Sequence, residues 1–170
     1  MMQSNKRQSL RLPYYDYSQR GIYFITICIR DRQCLLGEIF EGSMRLNDMG
    51  AMVERCWNDI PIHFPHMTLD AYVIMPNHIH GIIIIEESIK KDECYSPLHG
   101  TSKTIGSAVR GFKIGVTQWV RKNTALHDIW QRNYYEHIIR NDVSLHQIKE
   151  YITHNPETWT QDKLHPSHAL

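Results

Sequence analysis

A chain of 170 residues with 42% hydrophobic composition is long enough for one domain with a sizeable core and too short for two of ordinary size, so one active centre is expected. Nineteen Lys plus Arg against eighteen Asp plus Glu leave a formal charge of +1, which excludes a polycation that coats nucleic acid indiscriminately and makes any basic surface local. No apolar run approaches the roughly 18 residues of a membrane span, the start MMQSNKRQSL is polar, and Cys28, Cys34, Cys56 and Cys94 show neither C-x-x-C nor disulfide-framework spacing, so the chain reads as a cytoplasmic protein without disulfides or a zinc-thiolate site.

Residues 21–29 are β-branched and aromatic and stop at Arg30-Asp31-Arg32, the pattern of a central strand. Residues 35–40 and 44–46 flank Glu41-Gly42-Ser43 as a short hairpin. Asn47 is placed to cap a helix carrying Met49, Met52, Val53, Cys56 and Ile60, which Pro61 and Pro65 end. Two apolar runs, 69–75 and 79–85, meet at Pro76-Asn77-His78, so two adjacent strands joined by a tight turn are expected. The mixed-charge stretch 86–100 reads as a mobile surface loop.

Beyond it, Ile105, Val109, Phe112, Val116 and Val120 form the stripe of an amphipathic helix. The same segment carries Lys103, Arg110, Lys113, Arg121 and Lys122 and no acidic residue, a local basic surface. A strand is expected over 129–139, and Asp142 or Ser144 then caps a last helix that runs through His154 and closes at Pro156. The tail 158–170 reads as loosely ordered. Strand, hairpin, helix, two strands, helix, strand and helix, in that order, imply an α+β fold with helices packed on an antiparallel sheet.

His78 and His80 stand two apart in a strand-like segment, so both imidazoles project from one face and Ile79 from the other. Two nitrogens on one face can share a cation. With eleven His in 170 positions, however, chance alone yields roughly 0.7 His-x-His pairs, so the spacing has little specificity. The turn before the pair and Gly81 after it, where a small residue permits close approach, add weight. On the last helix Leu145, Ile148 and Ile152 form the apolar stripe, and Tyr151 and Asn155 share a face beside it at an i, i+4 separation. By themselves these two are ordinary usage: a half-buried ring, and an amide ending a helix before Pro156.

Four separated stretches carry a resemblance. They are Ala71-Tyr72-Val73-Ile74-Met75-Pro76-Asn77-His78-Ile79-His80, Val109-Arg110-Gly111-Phe112-Lys113, Trp130-Gln131-Arg132-Asn133-Tyr134-Tyr135-Glu136-His137-Ile138-Ile139-Arg140-Asn141 and Glu150-Tyr151-Ile152-Thr153-His154-Asn155-Pro156. In this order the chain, from about Tyr14 to Trp159, resembles single-tyrosine HUH transposases, in particular the REP-associated tyrosine transposase branch. The resemblance implies a ferredoxin-like or RRM-like sheet with helices packed on it, spread over a basic leader (1–20), a catalytic domain (21–157) and a C-terminal tail (158–170). It implies that His78 and His80 are metal ligands, that Asn155 supplies a third, and that Tyr151 is the nucleophile. The implied activity is cleavage and rejoining of single-stranded DNA near hairpins through a 5′-phosphotyrosine, with Mg²⁺ or Mn²⁺ and no nucleotide energy source. A homodimer is the expected assembly and a monomer the alternative.

Residue chemistry agrees with that role. A cation held by two imidazoles and an amide oxygen keeps open positions for a phosphodiester. Imidazole suits Mn²⁺ better than Mg²⁺, so Mn²⁺ is expected to support the stronger activity. A phenol with a pKa near 10 needs a nearby cation or base, and no base is identifiable from sequence. Tyr134 and Tyr135 compete as nucleophiles beside Glu136-His137, but neighbours on a strand face opposite ways, so Tyr151 leads. Glu136, His137 and Arg140 are read as site-supporting or DNA-facing, with a structural role for His137 as the alternative. Arg110, Lys113, Arg121 and Lys122, with Lys6, Arg7, Arg11 and Arg20 of the leader, are the candidate phosphate contacts, and Tyr14, Tyr15 or Trp119 the candidate stacking rings. Two other readings stand beside this one. One is a non-catalytic nucleic-acid-binding relative; the other is a small metal-dependent hydrolase, weakened because no Asp or Glu sits at ligand spacing to the histidine pair.

Overall fold

The computed structural model describes residues 19–86 and 103–168, so the leader residues Lys6, Arg7, Arg11, Tyr14 and Tyr15, most of the 86–100 loop, and Cys94 lie outside the described residues. The apolar run after Arg20 forms strand β1 (Gly21–Cys28). A hairpin of β2 (Gly37–Phe40) and β3 (Ser43–Leu46) leads to helix α1 (Asp48–Asn58), whose first turn is capped by Asn47 Oδ1 accepting from the Gly50 N–H at 2.9 Å. Pro61 does not end the predicted helix: α1 stops at Asn58 and Pro61 lies in the first turn of a one-turn helix, α2 (Ile60–His63), where its missing N–H costs no helical bond.

Strands β4 (Met67–Met75) and β5 (His78–Ile85) pair antiparallel through a tight turn as the pattern predicts, but the turn is Pro76-Asn77 alone and His78 is already in the strand. Helix α3 (Ile105–Asn123) follows, with the predicted stripe buried. The strand expected over 129–139 is shorter: β6 is Tyr135–Ile139. Trp130 makes only an isolated bridge to Ile29, and Asn133 takes a left-handed turn conformation (φ 68°), which breaks the extended run. Helix α4 (Asp142–His154) is capped neither by Asp142 nor by Ser144 but by Asn141, whose Oδ1 accepts the Ser144 N–H at 2.8 Å.

The strands form one antiparallel sheet in the order β4-β5-β1-β6, with β2 and β3 as a separate hairpin. With α1 and α3 connecting its strands, this is the ferredoxin-like α+β arrangement, and β1 is central as expected. Helices α1, α2 and α3 cover one face, where Tyr23, Ile25, Ile27, Ile79 and Ile83 join Val53, Trp57, Phe112 and Val116 in the main core. Helix α4 covers part of the other face over a smaller cluster of Phe24, Ile82, Ile139 and Ile152. The tail differs from expectation: its first part returns over this second face, where Trp159 and Asp162 are buried.

Candidate active site

Registry decides what the second face presents. His78 lies opposite Cys28 of β1 and Met75 of β4, and His80 opposite Thr26 and Val73, so both imidazoles emerge beside Phe24 and Thr26. The intervening Ile79 points into the core. Gly81 does permit a close approach, but on the core side: a Cβ there would lie 2.3 Å from Trp57 Cζ2, so the glycine admits the indole of α1 rather than a ligand. The last turn of α4 supplies Tyr151 and Asn155, and the chain beyond it supplies Asp162.

The side chains meet. The Tyr151 hydroxyl lies 3.0 Å from His80 Nε2 and donates to Asp162 Oδ2 at 3.5 Å. Thr26 Oγ1 lies 2.8 Å from the other ring nitrogen, His80 Nδ1, and the tautomer of His80 sets the direction of both contacts. Phe24 stacks on the His80 ring at 5.3 Å. Asn155 Nδ2 donates to Asp162 Oδ2 at 3.0 Å, and the Leu164 N–H donates to Asp162 Oδ1 at 2.6 Å.

Asn77 fixes the other imidazole. Its Nδ2 donates to the carbonyls of Arg32 (3.1 Å) and Leu164 (2.8 Å), which turns its Oδ1 toward His78 Nδ1 at 2.7 Å. A carbonyl oxygen only accepts, so His78 holds its proton on Nδ1 and directs a bare Nε2 into the site. That Nε2 is buried without a hydrogen-bond partner, and so is Asn155 Oδ1. Unsatisfied buried acceptors cost stability unless another group completes them.

Burial sets the protonation states. It pushes the His78 imidazole down to about 3. His80 is held well below its usual range by burial first and by positive charge on His78 second, with the Asp162 carboxylate pulling the other way. Burial, and then the negative charge of Asp162, push the Tyr151 phenol up to about 12, so the phenol is protonated at neutral pH. Yet the ring is 45% exposed and therefore reachable from solvent.

The donor atoms of His78, His80 and Asp162 all lie within 4.8 Å of one another. Two neutral imidazole nitrogens and a carboxylate form a set that fits a divalent cation tolerant of nitrogen ligands, while Asn155 turns its Nδ2 to Asp162 and buries its Oδ1 without a partner. This group can bind a metal. Asp162 was not visible from ligand spacing, because it joins the pair only through the returning tail. The premise that no carboxylate accompanies His78 and His80 is therefore corrected. The cluster opens into a cleft of about 780 Å³ bounded by Thr26, Tyr135, Tyr151, Gln161 and Lys163.

The remaining candidates are dispersed. Helix α3, with Arg110, Lys113, Arg121 and Lys122, lies on the opposite face of the sheet from the cleft. Arg110 and Lys122 are exposed. Lys113 is taken up by structure: its Nζ donates to the carbonyls of Gln131 (2.9 Å) and Asn133 (2.6 Å), and burial lowers its pKa to about 8. Arg121 Nε donates to the His127 carbonyl at 3.1 Å, and Trp119 packs on the core. Arg20 is exposed before β1. Glu136 lies opposite Ile25, so it faces away from the cleft, and it accepts from the Tyr134 hydroxyl at 2.9 Å. His137, opposite Phe24, is on the cleft side and exposed; Arg140 is exposed beyond the strand. Among the described residues no helix is long and apolar enough to cross a membrane.

No family model matches the chain. An uncharacterized protein of Haemophilus influenzae is 52% identical over 168 residues, which is 94% of this chain and 93% of that protein. A second protein of the same organism, itself a proposed REP-associated tyrosine transposase, is 28% identical over 143 residues, 83% of this chain and 73% of its own length. Among solved structures, a REP-associated tyrosine transposase bound to a REP hairpin matches with a TM-score of 0.64 at 23% identity, over 90% of this chain and 77% of that one. At that identity the likeness is one of fold.

Proposed function

We propose, from the premise that the chain resembles the REP-associated tyrosine transposases in sequence and in fold, that it is a transposase-like DNA transesterase acting on hairpin-bearing single strands. The observation that carries this reading is that Tyr151 Oη stands 3.0 Å from His80 Nε2 in an open cleft, against a cluster whose His78, His80 and Asp162 ligand atoms lie within 4.8 Å of one another. Tyr151 is the nucleophile. Its oxygen bonds to the scissile phosphorus as the bond from phosphorus to the 3′-oxygen breaks; the phenol gives up its proton and the leaving 3′-oxygen gains one. The product is a 5′-phosphotyrosine and a free 3′-hydroxyl. One phosphoester replaces another, so attack by a 3′-hydroxyl restores the strand and the phenol.

His78, His80 and Asn155 hold a Mg²⁺ or Mn²⁺ ion in this reading, with Asp162 beside them. When bound, the ion supplies positive charge that offsets the charge developing on the phosphoryl group and favours the phenolate. The protein's own part is orientation. Asn77 directs the His78 lone pair inward, Thr26 holds the other nitrogen of His80, and the end of α4 holds the phenol within hydrogen-bond reach of His80. Because burial raises the Tyr151 pKa to about 12, the phenol is poorly reactive until positive charge arrives. Exposed Arg110 and Lys122 on α3 are the phosphate contacts outside the cleft.

The test is incubation with 5′- and 3′-labelled hairpin strands and Mn²⁺, followed by denaturing gels. A covalent adduct on the downstream fragment is expected, and Tyr151→Phe is expected to reduce it by at least roughly three orders of magnitude. The presence of Asp162 keeps one second reading alive, a hydrolytic centre of His78, His80 and Asp162. Cutting without an adduct would establish that reading instead. Hairpin binding with no cutting would identify a non-catalytic relative.

A further inference from the structure

Two cavities lie back to back across one edge of the sheet. On the helix side a groove of about 450 Å³ is bounded by Arg110, Arg121 and Tyr134; on the other side is the cleft of about 780 Å³ that holds Tyr151 and Tyr135. The chain entering the edge strand β6 passes between them, with Asn133 and Tyr134 on the groove and Tyr135 on the cleft. Tyr134 and Tyr135 are consecutive, so one ring faces the groove and the next faces the cleft. Their burial differs. Tyr134 packs on the main core and its hydroxyl is bonded to Glu136, whereas Tyr135 belongs to neither apolar cluster and is 48% exposed.

Tyr135 also sits at a defined place relative to the chemistry. It pairs directly with Thr26, whose hydroxyl holds His80, and it shares the cleft wall with the attacking phenol. The cleft volume lies in the roughly 300–1,000 Å³ range of pockets that enclose a small-molecule-sized group. A half-exposed aromatic ring beside a nucleophile, with Lys163 at the rim, offers a π-face for a base and a positive charge for its phosphate.

We infer that Tyr135 is a nucleobase subsite: the unpaired strand flanking the hairpin crosses the β6 edge and stacks one base on this ring, which sets the neighbouring phosphodiester before Tyr151. The inference rests on the proposed strand-transfer reading and adds to it a substrate-positioning residue. Stacking requires an unpaired base and tolerates any base identity, because every base has a π-face.

The test uses the full chain carrying Tyr151→Phe, so that binding is measured without chemistry. Its probe is a hairpin with a single-stranded 5′ tail in which 2-aminopurine replaces each tail base in turn. Quenching at one or two tail positions is expected, lost in Tyr135→Ala and Tyr135→Leu and retained in Tyr135→Phe and Tyr135→Trp. Leucine fills the strand position without a π-face, so it separates stacking from folding. In the chain with Tyr151 intact, Tyr135→Leu is expected to raise KM for tailed hairpins by roughly five- to a hundredfold, with a smaller change in kcat. Adduct formation by the parent chain with no tail position responding to Tyr135→Leu would overturn the subsite and leave strand transfer standing. Absence of both adduct and hairpin binding would overturn the two together.

Discussion

On the side of the sheet that meets α1 and α3, strands β1 and β5 present Tyr23, Ile25, Ile27, Ile79 and Ile83, all essentially inaccessible; on the side that meets α4 the same two strands present Phe24, Thr26, His78 and His80. Each fully buried aliphatic or aromatic side chain on the first side contributes about 1.5–3 kcal/mol. The second side spends burial on neutral imidazoles and leaves two acceptors unpartnered, each at a cost of about 1–3 kcal/mol. Alternation along a strand lets one segment serve both ends: odd-numbered residues of β5 stabilise the domain, and His78 and His80 belong to a group that can bind a metal. Stability and reactivity are divided by face rather than by region of the chain.

The largest expected effect comes from breaking the polar face alone. His78→Leu is expected to weaken Mn²⁺ binding by at least about 100-fold in isothermal titration, while costing only about 1–3 kcal/mol of unfolding stability, because an unpartnered Nε2 leaves with the ring but Asn77 Oδ1 loses its donor. Asn77→Ala keeps both imidazoles but frees the His78 tautomer, and is expected to weaken Mn²⁺ by about 10–100-fold. Stability losses as large as those of core truncations in either variant would sink the division of labour between the faces.

The converse substitution lies one residue from His80. Gly81→Ala drives a Cβ against Trp57 on the core side and is expected to cost about 1–3 kcal/mol in urea unfolding, with Mn²⁺ affinity retained. Loss of affinity without loss of stability would show that the two faces are coupled.

Acidification sharpens the comparison further. Unfolded histidines titrate near 6.5, whereas His78 in the folded chain titrates at about 3 and His80 is also lowered. Between these values the unfolded chain binds protons that the folded chain refuses, so stability is complete above about pH 6.5 and declines as pH falls toward 3. Thermal melts of the metal-free protein between pH 7 and 5 should show this decline, and His78→Leu should flatten it. A melting temperature that rises on acidification would contradict the buried neutral imidazoles.

The smallest effect concerns the outer surface of α3. Replacing Arg110 and Lys122 together by Gln is expected to reduce the slope of log affinity against log salt for hairpin DNA by roughly 2. Lys113→Gln is expected instead to lower the melting temperature with little change in slope, since its ammonium holds two carbonyls ahead of β6. A full unit of slope lost with Lys113 would return it to the DNA contacts.

Much of the fold was legible because its signals are local. The β-branched run of β1, the Asn47 cap, the 3.6-residue stripe of α3 and the Pro76-Asn77 turn each depend on neighbours in sequence, and each appears where the pattern puts it. Local signals also misled. Asp142 and Ser144 compete with Asn141 for one cap, and only the backbone angles of the turn choose among three side chains that can all accept the bond. The 129–139 run is strand-like throughout in composition, but a single left-handed residue at Asn133 ends the pairing.

By itself the sequence determined the alternation that puts His78 and His80 on one face and the i, i+4 spacing that puts Tyr151 and Asn155 on another, since both follow from the repeat of a strand or helix. Only the tertiary structure decided that these two faces meet, that Asp162 returns to join them, that Asn77 orients His78 and that Lys113 turns inward. The physical reason is range. A repeat is written in adjacent residues, whereas contacts such as His80 with Tyr151 or His78 with Asp162 arise only when the sheet registers, α4 docks on its apolar cluster and the tail folds back over both.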